Sequence, residues 1–207
     1  MTTYSRVEIA ERMTAEEFMR DAPEDRKAEL IDGVLIMPSP ASTTHERLQV
    51  YLLTLLRIYV DTHDLGDVLG SRSAVVLAAD QAPEPDILFV SKKRRKIIQE
   101  KGVFGAPDFV VELLSAGTAR NDRGPKFHAY ERAGVAELWL IDPYGPEGTQ
   151  FFQLQEGRFV EVQADKNGIL RSTAVPGFWL DLAWLWPQGQ PLTTRQALAA
   201  IMAKKEG

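Results

Sequence analysis

Three short runs constrain this chain more than anything else in it: Ile87-Leu88-Phe89-Val90, Val110-Val111-Glu112-Leu113-Leu114 and Leu138-Trp139-Leu140-Ile141. Each is apolar with almost no alternation, and a strand without a polar side must be covered on both faces. The neighbouring segments offer the cover. Leu48, Leu52, Leu55, Leu56 and Tyr59 recur at helical spacing, predicting a helix from His45 to about Asp61 with Ser42 to Thr44 able to cap it. Asp122, Pro125, Lys126, Tyr130 and Gly134 lay out a second helix, with an acidic start, a proline in its first turn and a glycine at its end. Strands alternating with helices predict an α/β (α+β) chain whose sheet is covered by helices, rather than a sandwich.

The flanking regions follow from turn and cap chemistry. Thr14-Ala15-Glu16-Glu17 is a capping-box pattern opening a short helix that ends near Pro23. Glu29 to Met37 reads as an N-terminal β-hairpin with Asp32-Gly33 at its tip, stopped by Pro38 and Pro40. Val68 to Leu77 reads as a strand, followed by a turn region from Ala79 to Pro85. The five basic residues Lys92 to Lys96 are most simply a solvated helix start, with phosphate contact as the alternative.

Beyond Asp142-Pro143 the chain becomes β-rich. Gln150–Gln155 and Phe159–Gln163 form a hairpin around Glu156-Gly157; Leu170–Val175 and Phe178–Leu182 are further extended pieces, and Thr194 caps a last helix to about Lys204. Trp179, Trp184 and Trp186 crowd this end, as core or interface packing, and a homodimer is expected from its apolar character. With no repeat and no long linker, one domain over 1–207 is expected, with its core at about 13–143 and a C-terminal extension at about 144–207.

Composition mainly excludes. The absence of cysteine removes disulfides, thiolate zinc sites and cysteine nucleophiles. A net charge of -5 argues against broad adhesion to nucleic acid, which needs a basic surface, while leaving room for a local patch. Charges throughout Met1 to Met13 predict no signal peptide, and no apolar run approaches the ~20 residues of a membrane span; a cytoplasmic chain with no membrane partner is expected.

The chemistry lies in the charges that interrupt the apolar runs. Asp86 precedes one strand and Glu112 sits inside another, where an unpaired carboxylate is expensive. Side chains alternate along a strand, so Asp86 shares a side with Leu88, and Glu112 with Val110 and Leu114. If the strands are neighbours, both acids meet at one rim of the sheet, enough for Mg²⁺, which needs only one or two carboxylates beside water and phosphate. The spacing of Asp122, Lys126 and Tyr130 places all three on one helical face; an intrahelical ion pair with a packed tyrosine is the plainer account.

Taken together, the motifs resemble a known family. Met13-Thr14-Ala15-Glu16-Glu17-Phe18, Glu29-Leu30-Ile31-Asp32-Gly33, Pro38-Ser39-Pro40 then His45, Pro85-Asp86-Ile87-Leu88-Phe89-Val90, Ala106-Pro107-Asp108-Phe109-Val110-Val111-Glu112-Leu113-Leu114-Ser115, Asp122 to Lys126 to Tyr130, and Gly134 to Pro143 occur in the order seen in the Uma-two family of the PD-(D/E)xK nuclease superfamily. The resemblance implies a restriction-endonuclease-like core with a mixed central sheet, Asp86 and Glu112 as metal-binding acids, and Glu29 as a further acid. It also implies metal-dependent hydrolysis of phosphodiesters with Mg²⁺ or Mn²⁺ as cofactor and DNA as the expected nucleic-acid partner. The superfamily's lysine would fall at position 114, which is Leu114 here, so Lys126 is the candidate for a migrated lysine. The family's usual tyrosine before its hairpin glutamate is Ala28. His45, Asp122 and Tyr130 are candidate supports behind the ligands, and Glu84 is a reserve ligand or a solvated loop residue. A catalytically silent module binding nucleic acid or protein, and a hydrolase of small phosphoesters, are the competing expectations.

Overall fold

The computed structural model describes residues 12–23 and 25–203; the expectations placed on residues 1–11 and on Lys204 lie outside the described residues. Helix α1 (Ala15–Asp21) starts from the capping box, Thr14 and Glu17 each bonding the other's backbone N–H. Strands β1 (Glu29–Ile31) and β2 (Val34–Ile36) close the expected hairpin over Asp32 and Gly33, both at positive φ. Helix α2 (Thr43–Thr62) is capped by Ser42, whose side chain accepts from the His45 N–H.

The stretch expected as one strand from Val68 to Leu77 is two. Strand β3 (Gly66–Gly70) ends in a turn where Arg72 takes φ 79°, and β4 (Val75–Val76) belongs to a different sheet. After β5 (Ile87–Ser91), Lys92–Ile97 forms a 3-10 helix, and β6 (Ile98–Gln99) and β7 (Gly102–Phe104) complete a small sheet with β4. The basic run is largely paired within the chain, Lys92 with Asp64, Arg94 with Asp108 and Arg95 with Asp67.

Strand β8 (Phe109–Leu113) leads to α3 (Ala119–Asp122) and α4 (Pro125–Ala133). The single helix expected from Asp122 onward is thus broken, because Gly124 leaves helical geometry before Pro125 restarts it; Gly134, at φ 86°, ends it as expected. Strand β9 (Glu137–Ile141) follows, then the hairpin β10 (Gln150–Gln155) and β11 (Arg158–Val162), the pair β12 (Ile169–Arg171) and β13 (Trp179–Asp181), and α5 (Thr194–Ala203). The cap of α5 is Thr193 rather than Thr194, since the Gln196 N–H donates to the Thr193 hydroxyl.

The central sheet has the order β11-β10-β9-β8-β5-β3. It is mixed: β8 and β9 run parallel and the other neighbours antiparallel. One face carries Phe89, Phe109, Val111 and Trp139 against α2, α5 and the β12–β13 region; the other carries Leu88, Val110, Leu138 and Leu140 against Tyr130 of α4. This double cover explains why the three runs show no polar alternation. Trp179, Trp184 and Trp186 pack against the first of these cores. A buried carboxylate, Glu137, ties the C-terminal part to the sheet by accepting from Trp139 Nε1, the Ser172 hydroxyl and the Thr173 and Ala174 N–H groups. Among the described residues no helix is long and apolar enough to cross a membrane.

Candidate active site

The register between β5 and β8 pairs Leu88 with Val110 and Ile87 with Val111, so one residue further it brings Asp86 level with Glu112. Both carboxylates are buried at the end of these interior strands, on the floor of a cleft of about 810 Å³ that is also lined by Lys27, Glu29, His45, Asp122 and Lys126. Six elements and the segments leading into them therefore converge here: β1, α2, β5, β8, α3 and α4.

Two clusters share that floor. In the first, Asp86 accepts from the Leu113 N–H at 2.9 Å and from Lys27 Nζ at 3.0 Å. His45 Nε2 lies 3.4 Å from its Oδ2 and 3.1 Å from the Leu113 carbonyl oxygen. Gln49 Nε2 donates to the Asp86 backbone carbonyl, which holds the start of β5 against α2. In the second cluster, Lys126 Nζ stands 2.7 Å from Glu112, 2.8 Å from Glu29 and 3.0 Å from Asp122. The Tyr130 hydroxyl donates to Glu112 at 2.6 Å. Despite the break at Gly124, Lys126 reaches Asp122, and Tyr130 reaches the Glu112 that Lys126 also contacts, on one side as the spacing predicted.

The electrostatics of the two clusters differ. Burial works against the Asp86 carboxylate, but its His45 bond and the Lys27 ammonium outweigh that and hold its pKa far below the usual range. Glu29 is likewise lowered, since Lys126 and then Lys27 overcome burial. Glu112 goes the other way: burial, with Asp122, Asp86 and Glu29 adding repulsion, pushes it up to about 8 in spite of Lys126. Burial also opposes the Lys126 charge, yet the three acids around it raise its pKa well above the ordinary lysine value.

Glu84 is not the solvated loop residue that was one of its two expected readings. It is buried, its N–H donates to Glu29, its Oε2 has no hydrogen-bond partner among the described residues, and burial raises its pKa.

The donor set fits a divalent cation. Glu29, Asp86, Glu112 and Asp122 are buried around two ammonium groups, four carboxyl groups to two cations, and burial first, with repulsion from the other acids, keeps Glu112 protonated far above its ordinary range. Among the described residues no three acidic or histidine side chains already form a cage. Mg²⁺ does not need one, because it keeps several waters and takes one or two carboxylates, which Asp86 and Glu112 offer.

These shifts set the sign of the stability profile. A buried acid with a raised pKa is penalised once the unfolded chain can ionise, so the Glu112 penalty begins above its ordinary 4.5 and grows until about pH 8. His45, raised above 6.5 chiefly by its bond to Asp86 against the effect of burial, contributes stability at acid pH that is lost as pH rises through its folded value. Both act in one direction, and urea unfolding is expected to give a higher stability at pH 5 than at pH 8.5 in the absence of divalent cations. Glu112→Gln should flatten the curve. Equal wild-type stability at the two pH values would refute the assignment.

The sequence reading missed Lys27 and Gln49. A signal for Lys27 existed: it lies two residues before Glu29, and carrying the alternation of β1 back by one step puts both on one side.

The model of the family described as "Uma2: Putative restriction endonuclease" matches residues 15–183. A relative from Synechocystis sp. (strain ATCC 27184 / PCC 6803 / Kazusa), "Uncharacterized protein sll1609", is 24% identical over 134 residues, covering 64% of this chain and 76% of its own length. Among solved structures, the crystal structure of "a putative nuclease belonging to DUF820" from Anabaena variabilis ATCC 29413 superposes with a TM-score of 0.65 at 16% identity, over 91% of this chain and 99% of that one. That likeness establishes a shared fold.

Proposed function

The chain belongs to the Uma2 family, and from that premise we propose that it is a metal-dependent endonuclease hydrolysing phosphodiester bonds in DNA. One observation carries the reading: Asp86, Glu112 and Lys126, distant in sequence, meet on the floor of one cleft with more buried carboxylate than cation to balance it. Bound Mg²⁺ or Mn²⁺, held by Asp86 and Glu112 with Glu29 behind them, would supply an acidified water and a counter-charge for the phosphate.

The protein's own residues do the rest. Lys27, His45 and the Leu113 N–H keep Asp86 ionised and fixed in direction. The Tyr130 hydroxyl orients Glu112, and Lys126 holds Glu29, Glu112 and Asp122 at the spacing the site needs. The apolar cover of β5 and β8 keeps this array rigid.

Supercoiled plasmid incubated with the protein and Mg²⁺ or Mn²⁺ is expected to become nicked or linear, and excess chelator should stop the reaction. A second reading, a silent nucleic-acid-binding module, is favoured by Leu114 standing where the superfamily has lysine and by the enclosure of Lys126. Binding without cleavage of any DNA or RNA, whatever the metal, would establish that reading instead.

A further inference from the structure

Of the two ammonium groups in the cleft, the one to which the sequence pointed is closed off. Lys126 has Glu29, Glu112 and Asp122 within 3.0 Å, and its side chain is 2% exposed. An ammonium carries three protons. At 2% exposure, with three carboxyl groups packed around it, it has no open side to offer an incoming phosphate.

Lys27 differs on each count. It stands in the segment before β1, lines the cleft, and has a side chain 25% exposed. Its one hydrogen-bond and ion partner among the described residues is Asp86, at 3.0 Å, which leaves protons uncommitted.

An anion entering the cleft must also pass an acidic floor, and it needs a cation beside Asp86 rather than beneath three carboxylates. A compact charge on a flexible stem next to that carboxylate is suited to a non-bridging phosphate oxygen. Resting on the phosphodiesterase reading above, we propose that Lys27, and not Lys126, is the protein cation that contacts the substrate phosphate, with Lys126 acting as a positioning residue. The cation role has moved not to the following helix but to the lead-in of the N-terminal hairpin.

The test uses the full chain with Lys27→Met and Lys27→Arg. Two measurements are made: plasmid cleavage with Mg²⁺, and binding of a fluorescent single-stranded oligonucleotide in Ca²⁺ over a range of salt. Lys27→Met is expected to lower kcat by ~10²–10³-fold. Its unfolding midpoint should fall much less than that of Lys126→Met, since Lys27 is partly exposed and Asp86 keeps His45 and the Leu113 N–H. Its plot of log affinity against log salt should be shallower by ~0.7, one phosphate contact on a single strand, and Lys27→Arg should recover part of the rate.

Cleavage by Lys27→Met at the wild-type rate overturns the proposal while leaving the nuclease reading in place. A slower variant with an unchanged salt slope also overturns it, because Lys27 would then act only through Asp86. If the wild type binds but cuts nothing, the nuclease reading fails and the slope alone decides for or against Lys27. If the wild type neither cuts plasmid nor binds the oligonucleotide, both are overturned.

Discussion

Asp86→Asn should abolish metal-dependent cleavage while the protein remains folded. The substitution keeps the size of the side chain and an oxygen for the Leu113 N–H, so the junction of β5 and β8 is preserved. It removes the charge that Lys27 and His45 hold in its ionised form. A cation ligand and its counter-charge on the transition state are worth several kcal/mol, and at 1.36 kcal/mol per factor of ten the expected loss is at least ~10³-fold. Lys27, already partly exposed, loses a partner without becoming a buried lone charge, so the unfolding midpoint should move little. A plasmid assay with thermal unfolding of the same samples checks both halves. Full activity in the folded variant would remove Asp86 from the chemistry.

The second large effect is on stability. Lys126→Met is expected to destabilise the fold by ~3–5 kcal/mol, the range for removing one member of a buried ion pair, and a large share of the ~5–15 kcal/mol that holds a typical domain together. Glu29, Glu112 and Asp122 would be left beside one another without the ammonium that separates them. Glu29, which burial would raise and Lys126 holds below its ordinary range, can take up a proton instead, so the deficit should shrink from pH 8 to pH 5. Urea unfolding of wild type and variant at both values measures this. A loss of the same size at both pH values would mean that Lys126 contributes packing rather than charge.

The two variants separate the parts that the cleft assigns to its charges. Asp86 offers the charge on which cleavage would depend, and its removal is read in rate; Lys126 holds three buried acids together, and its removal is read in stability. Lys27 lies between them, partly exposed and bound to the first. Spacing could not rank the two lysines, because reach and exposure depend on which neighbours close around each ammonium.

Much of the fold was legible because its causes are local. Thr14 with Glu17, Asp32 with Gly33, Ser42 and Gly134 mark boundaries through bonds or backbone angles set within a few residues, and the double-faced apolar runs announced interior strands. The breaks within Val68–Leu77 and at Gly124 were not legible. Each depends on where the chain must go next: β4 pairs with β7, a partner further along the chain, and α4 restarts so that Lys126 meets acids from β1 and β8.

What the sequence determined by itself was the set of acids and the sheet that carries them, since a carboxylate within an apolar run is conspicuous and strand parity gives its side. What only the tertiary structure decided was the pairing of charges. Lys27 reads as one more residue of a polar segment until folding sets it 3.0 Å from Asp86, across 59 positions of chain. Burial and Coulomb interaction act through space, and a charge's environment is not written in its neighbours along the chain.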